Sequence, residues 1–178
     1  MPEKSPQTLS ESERQLVAAW AADCAERVLG LFQAEVPHDN RPQLLISRTR
    51  AFARGELNTA EEIRHRFKGG ISSGEVKTPS AKAAAKSASQ AVAICHMGSH
   101  ALGAAAYAVL AASLAKPKQP EVTDKEICWQ LEHMSAEVKA ALRKLPFAGE
   151  NSSGPLGPGL FTSGQLGIIV HKLQMGIS

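Results

Sequence analysis

The sequence predicts an all-α protein: a compact helical bundle around a long alanine-rich central helix, followed by an irregular Gly/Pro-rich C-terminal arm. Three observations carry this. Residues 87–115 contain no Asp, Glu, Lys or Arg, so they read as a helix apolar on all sides, the kind that sits at the centre of a bundle. Aromatics make up only 4% of the residues, which leaves alanine and aliphatic side chains to build the core. No strand-like alternation dominates anywhere, while capping signals recur ahead of apolar segments.

The elements follow in chain order. Residues 1–8 are polar and are expected to be disordered; the helical domain runs over 9–145. Ser10 and Glu13 form a capping box that starts a helix running to about Ala34. The turn EVPHDNRP follows, and Asp39 or Asn40 with Pro42 launches a second helix ending near Gly55. Asn58 with Glu61 marks a short third helix to Lys68, and GGISSGEVKTPS reads as a loop. Ser80 opens the long helix, bent or interrupted near Gly98 or Gly103, and KPKQPEV ends it. Thr123 and Glu126 make another capping box for a helix to about Lys144. From Pro146 the chain is rich in Gly, Ser and Pro without a helical period, and 146–178 is expected to be an irregular arm. Within it IIVHKLQM either docks as a short strand or helix turn or stays loose.

Composition excludes several function classes. A formal net charge of +3 is too small to indicate nucleic acid. The ten Lys and Arg residues between Arg41 and Lys86 are dispersed without interleaved aromatics, which is the pattern of a solvated surface. GGISSG lacks the lysine of a phosphate-binding loop. Cys24, Cys95 and Cys128 are odd in number and far apart, so no disulfide framework is implied, and a reducing, cytoplasmic location is expected. The polar, acidic start MPEKSPQTLSESERQ is not a secretory signal. The charge-free segment is long enough to span a bilayer. Its alanine content and the cost of His96 and His100 at the bilayer centre favour a buried helix instead.

The candidate chemistry lies on two helices. On a wheel of about 100° per residue, Val92, His96, His100, Gly103 and Tyr107 share one narrow face of the alanine-rich helix. In the first helix Leu16, Val17, Trp20, Cys24, Val28 and Leu31 form an apolar arc; Arg27 falls inside it and Asp23 lies at its edge, one turn earlier. Buried polar groups must find partners, so Asp23, Arg27, His96, His100 and Tyr107 are expected to form a shared polar layer. The bland alternatives are that the histidines only satisfy helix–helix hydrogen bonds, that Asp23–Arg27 is a tether and that Tyr107 is a core aromatic. Asp39 and Arg41 either lock their turn or rim a pocket. HMGSH lacks the glutamate of H-E-x-x-H, and no metal or cofactor is expected.

Three stretches together resemble a known family: AAWAADCAERVLGLFQAEVPHDNRPQ, AVAICHMGSHALGAAAYA and CWQLEHMSAEVKAALRKLP. They are similar to the all-helical immunity proteins of bacterial polymorphic toxin systems, the immunity-five-like domain. The likeness runs from about Leu9 to Leu145, is poor over 57–79, and leaves out the arm. Its pattern falls on Trp20, Asp23, Cys24, Glu26 and Arg27, on Asp39, Arg41 and Pro42, on Gly55 and Glu56, and on His96, His100, Gly103 and Tyr107. The resemblance implies a helical bundle that binds a partner, with toxin neutralisation as its role and Trp20, Glu26, Asp39, Arg41 and Glu56 as binding residues.

Two functions are therefore expected as alternatives. One is a cytoplasmic binding protein that sequesters a toxin or other protein partner. The other is a cofactor-independent enzyme, a cyclase, isomerase or hydrolase of a small organic molecule. There His96 or His100 would be general acid/base, Asp23–Arg27 would orient it, and Tyr107 would donate a proton. Neither involves nucleic acid or membrane, and homodimerisation is open in both.

Overall fold

The computed structural model describes residues 4–58, 61 and 76–178. All regular structure among them is helical: α1 (Glu11–Glu35), α2 (Arg41–Ala53), α3 (Pro79–Ala93), α4 (His100–Ala115), α5 (Glu121–Glu132), α6 (Ala136–Leu142) and α7 (Gly164–Ile177), with a 3₁₀ turn at Leu160–Thr162. The short helix expected over 58–68 and most of the loop after it lie outside the described residues.

The first helix starts where its capping box places it. Ser10 accepts from the Glu13 amide, and the Glu13 carboxylate accepts from the Ser10 amide at 2.9 Å. Pro42 sits in the first turn of α2, where its missing N–H costs nothing. The long alanine-rich helix, expected to be bent or interrupted near Gly98 or Gly103, is a helical hairpin, α3 and α4, broken over 94–99. The reason is distant in sequence. The amides of Gly98 and Ser99 donate to the carbonyls of Thr8 and Gln7 at 2.9 and 3.0 Å, and the Leu9 side chain fills the space where a Cβ on residue 98 would stand, 2.5 Å from Leu9 Cδ1. Glycine at 98 admits that close approach, and the N-terminal segment takes over hydrogen bonds that a continuous helix would use.

The same contact corrects the expected disorder of the first eight residues, at least for its end. Gln7 is fully buried; its amide donates to Ser153 O at 2.7 Å and accepts from Leu156 N at 3.0 Å.

The hairpin is the core. Every residue from Ala101 to Val109 is buried, and α4 packs against α1, α3, α5 and α7. Alanine allows the close α3–α4 packing, and Ser87 Oγ bonds Ala104 O across it at 2.7 Å. α4 has 16 residues, and no helix among the described residues is long and apolar enough to cross a membrane.

Two further expectations change. The helix expected to run to Lys144 is two, divided at 133–135, with Ser135 capping α6 through Val138 N. The Thr123/Glu126 signal is not a cap: α5 starts earlier, Thr123 Oγ1 donates to Ser113, and Glu126 is used by Arg27. The arm is irregular through 159, but it ends in the 14-residue helix α7. Leu156, Phe161, Leu166, Ile169, Val170, Leu173 and Ile177 are buried. The apolar spacing of α7 was hidden by Gly164, Gly167 and Gly176; at Gly176 a Cβ would lie 2.4 Å from Leu131 Cδ1, so the glycine permits helix contact.

Candidate functional site

The outer side of α1 carries Asp23, Glu26 and Arg27 within about one turn. α2 brings Arg50 to it: Nη1 donates to Asp23 Oδ1 at 2.8 Å and Nη2 to Glu26. α5 brings Glu126, Trp129 and, just past its end, His133. Arg27 donates Nε and Nη2 to the two Glu126 oxygens at 2.8 and 2.9 Å, a bidentate, charge-assisted pair. The Arg27 guanidinium carbon lies 3.7 Å from the Trp129 ring centre. The His133 ring stacks on Trp129 at 4.1 Å and 20°. Arginine, indole and imidazole thus form one ordered layer whose orientation the buried Glu126 fixes.

The Glu126 hydrogen bond holds Arg27 further above its ordinary pKa, against the cost of partial burial. Beneath them, burial pushes the Cys24 thiol well up, and the Glu126 and Asp23 charges push it the same way. Cys24 is therefore a protonated packing residue, not a nucleophile.

Two hollows flank this layer. One, of about 560 Å³, runs along α1 past Ser12, Leu16, Ala19, Trp20 and Asp23, with Ala53 of α2 and Ser135 and Val138 of the α6 end as further walls. Trp20 is anchored by its indole N–H to Gln130 O at 2.9 Å. The second, of about 280 Å³, is lined by Asp23, Glu26, Arg27, Trp129 and His133. Asp23 and His133 line both, so the two make one groove. From Ser12 to Arg27 it follows α1 for about 22 Å at the helical rise of about 1.5 Å per residue.

The expected shared layer of Asp23, Arg27 and the histidines is not what forms. Asp23 pairs with Arg50 and Arg27 with Glu126, while His100 Nδ1 meets Gln90 Oε1 at 2.7 Å. His100 follows Gly98 and Ser99, which bond the chain just ahead of α1. Arg27 lies 16 residues into α1, about 24 Å along its axis. The apolar arc of α1 misled because Leu16, counted in it, is 42% exposed; the arc is displaced, and Arg27 falls on its outer edge. His96 is half-buried in the α3–α4 connection. Tyr107 is buried, edge-on to Phe161 at 6.1 Å, with Lys86 Nζ 5.5 Å from its ring centre; burial pushes its phenol above the ordinary value. His100 and Tyr107 share α4, whereas Asp23 and Arg27 lie on α1, and the two hollows beside Asp23 and Arg27 are lined by neither histidine of the pair nor Tyr107.

The remaining candidates are ion pairs. Arg41 donates Nε and its backbone N–H to Asp39 Oδ1 at 2.9 and 3.0 Å, fixing the turn into α2. Glu56 pairs with Arg54 at 2.6 Å on an exposed turn. The sequence reading missed Arg50, Glu126, Trp129 and His133. A signal existed for three of them: positions 126, 129 and 133 fall on one face of a helix, with the second tryptophan of the chain among them.

The seven helices among the described residues pack as a compact all-helical domain with an aromatic and ionic groove on α1. The chain matches the family described as "Imm-5 like putative immunity protein" over residues 7–137, most of its length, and it belongs to that family. The match contains the groove except for Val138 and ends before α7. No curated protein and no solved structure matches the chain.

Proposed function

We propose that this chain is a cytoplasmic immunity protein that sequesters a toxin, and that the α1–α5 groove is where the toxin docks. The observation that carries this is the Arg27–Trp129–His133 layer beside hollows of about 560 and 280 Å³. Arginine and tryptophan dominate the energetics of protein interfaces, above all where they are already immobilised before the partner arrives. Family membership supports a protein as the occupant.

The test is co-expression with the toxin encoded beside this chain's gene. Native chain should co-purify with the toxin and restore growth; Trp129→Ala should weaken the complex by more than tenfold, as expected for a central anchor. A toxin that neither co-purifies nor is restrained by the native chain overturns the proposal. Fractionation that places the active chain outside the cytoplasm overturns its location.

A further inference from the structure

We infer that the docking segment of the partner presents an aliphatic side chain and an arginine about 10 Å apart, the arginine entering beside Asp23 and Glu26; this rests on the groove being the docking site. The groove changes character along its length. At one end Leu16, Ala19 and Val138 give an apolar hollow, with Leu16 42% exposed. At the other end stand two carboxylates and an aromatic layer.

The charge at that end is unbalanced. Among the described residues Arg27 pairs with Glu126 while Asp23 and Glu26 share Arg50, a local excess of one negative charge. Among the described residues Asp23 accepts only through Oδ1 and Glu26 only through Oε2. A carboxylate has about four lone-pair positions, so Asp23 Oδ2 and Glu26 Oε1 retain acceptor capacity, and both residues line the groove. The His133 ring, stacked on Trp129, lies in the same lining. Acceptors beside an aromatic plane suit a guanidinium, which bonds carboxylates in its plane and stacks on rings with its faces. Lysine would satisfy the charge and not the plane; an acidic side chain would be repelled.

The spacing follows from α1. Leu16 and Asp23 are seven residues apart, about 10 Å along the axis. A polyproline II peptide covers about that distance in three residues at about 3.1 Å each and, with three residues per turn, sets its first and fourth side chains on the same face, so the matching pattern is Leu-x-x-Arg.

The experiment uses the full chain, ¹⁵N-labelled, titrated with blocked Leu-Gly-Gly-Arg and with the same peptide carrying neutral, isosteric citrulline. The arginine peptide should shift the Trp129 indole and the Asp23 amide and bind at least fivefold more tightly than the citrulline peptide. Asp23→Asn/Glu26→Gln should abolish that preference, and Asp124→Asn, which faces Lys172 on α7, should keep it. Equal affinities, or no shift in the groove from either peptide, overturn the inference. The same double variant is then co-expressed with the toxin. If native chain captures the toxin and the double variant captures it equally well, the arginine assignment fails while the immunity reading stands. If native chain captures nothing, the immunity reading fails, and the peptide titration still judges the groove's chemistry.

Discussion

The Arg27 guanidinium carbon lies 3.7 Å from the Trp129 ring centre while Nε and Nη2 of the same side chain bond both oxygens of the buried Glu126. Two restraints from one helix thus orient a residue of another, 99 positions away in sequence. The arrangement holds α1 against α5 and flattens the floor of the groove.

Its energetics are asymmetric. Arg27→Ala leaves the Glu126 carboxylate buried without its donor, which should cost about 1–3 kcal/mol. Arg27→Lys should recover only part of this, since an ammonium cannot make the two parallel bonds. Arg27→Met with Glu126→Leu removes both charges and should be more stable than Arg27→Ala. Urea denaturation checks the order; a double variant as unstable as the single one would mean that the buried charge is not the cost.

Deleting residues 149–178 should abolish cooperative folding. The deletion removes seven buried apolar side chains, from Leu156 to Ile177, and uncovers one side of α4. At about 1.5–3 kcal/mol for each large apolar side chain, the loss rivals the entire stability of a domain, about 5–15 kcal/mol. Leu173→Ala is the milder probe, expected to cost about 2–5 kcal/mol. A truncated chain with an unchanged thermal transition would show α7 to be dispensable.

What the sequence made legible was local. Ser10 and Glu13 are three residues apart, and their reciprocal bonds set the start of α1 without help from the rest of the chain. The charge-free run likewise announced a buried centre. The break at Gly98 was legible as a weak point, but its cause was not, because Gln7 and Thr8 supply its hydrogen bonds from about ninety residues away. Arg27 needed a carboxylate, as an arginine on an apolar arc does; Glu126 could not be chosen over Asp23 without the packing of α5 on α1. Half of the groove was visible in Trp20, Asp23, Glu26 and Arg27. The other half, Trp129 and His133, looked like the ordinary surface of a helix until another helix turned it into a wall.

Stability should fall in acid with a component from Glu13. The Lys144 ammonium first, and the Ser10 amide after it, lower the Glu13 pKa from 4.5 to about 2. A pKa depressed by folding contributes stability above the unfolded value of 4.5, and that contribution is lost as pH falls from there toward about 2. Glu13→Gln keeps a side chain able to cap Ser10 and removes the charge. At pH 7 it should cost about 1 kcal/mol, and the gap from native chain should close by pH 2. A gap that stays constant across this range would show that the ion pair adds nothing.

Gly103→Ala should destabilise the protein, against the ordinary preference of helices. Inside an exposed helix the change is favourable by about 0.5–1 kcal/mol, because glycine loses more backbone entropy on folding. Here the added Cβ would stand 2.5 Å from Gln90 Oε1 and 2.7 Å from Phe161 Cζ, both well inside contact distance. The glutamine amide can rotate away, but it then releases His100 Nδ1, its partner at 2.7 Å. The phenyl ring has less freedom: Phe161 is buried, edge-on to Tyr107, and sits in the middle of the turn that leads into α7. Relief therefore requires α7 to shift away from α4, and overpacking of this kind costs about 1–3 kcal/mol. The net expectation is a lower thermal midpoint, with NMR shifts concentrated at His100, Gln90 and the 160–166 segment. Phe161→Leu in the same chain should restore part of the loss by shortening the ring. A Gly103→Ala variant more stable than native chain would mean that α4 and the C-terminal arm do not meet as closely as 2.7 Å implies.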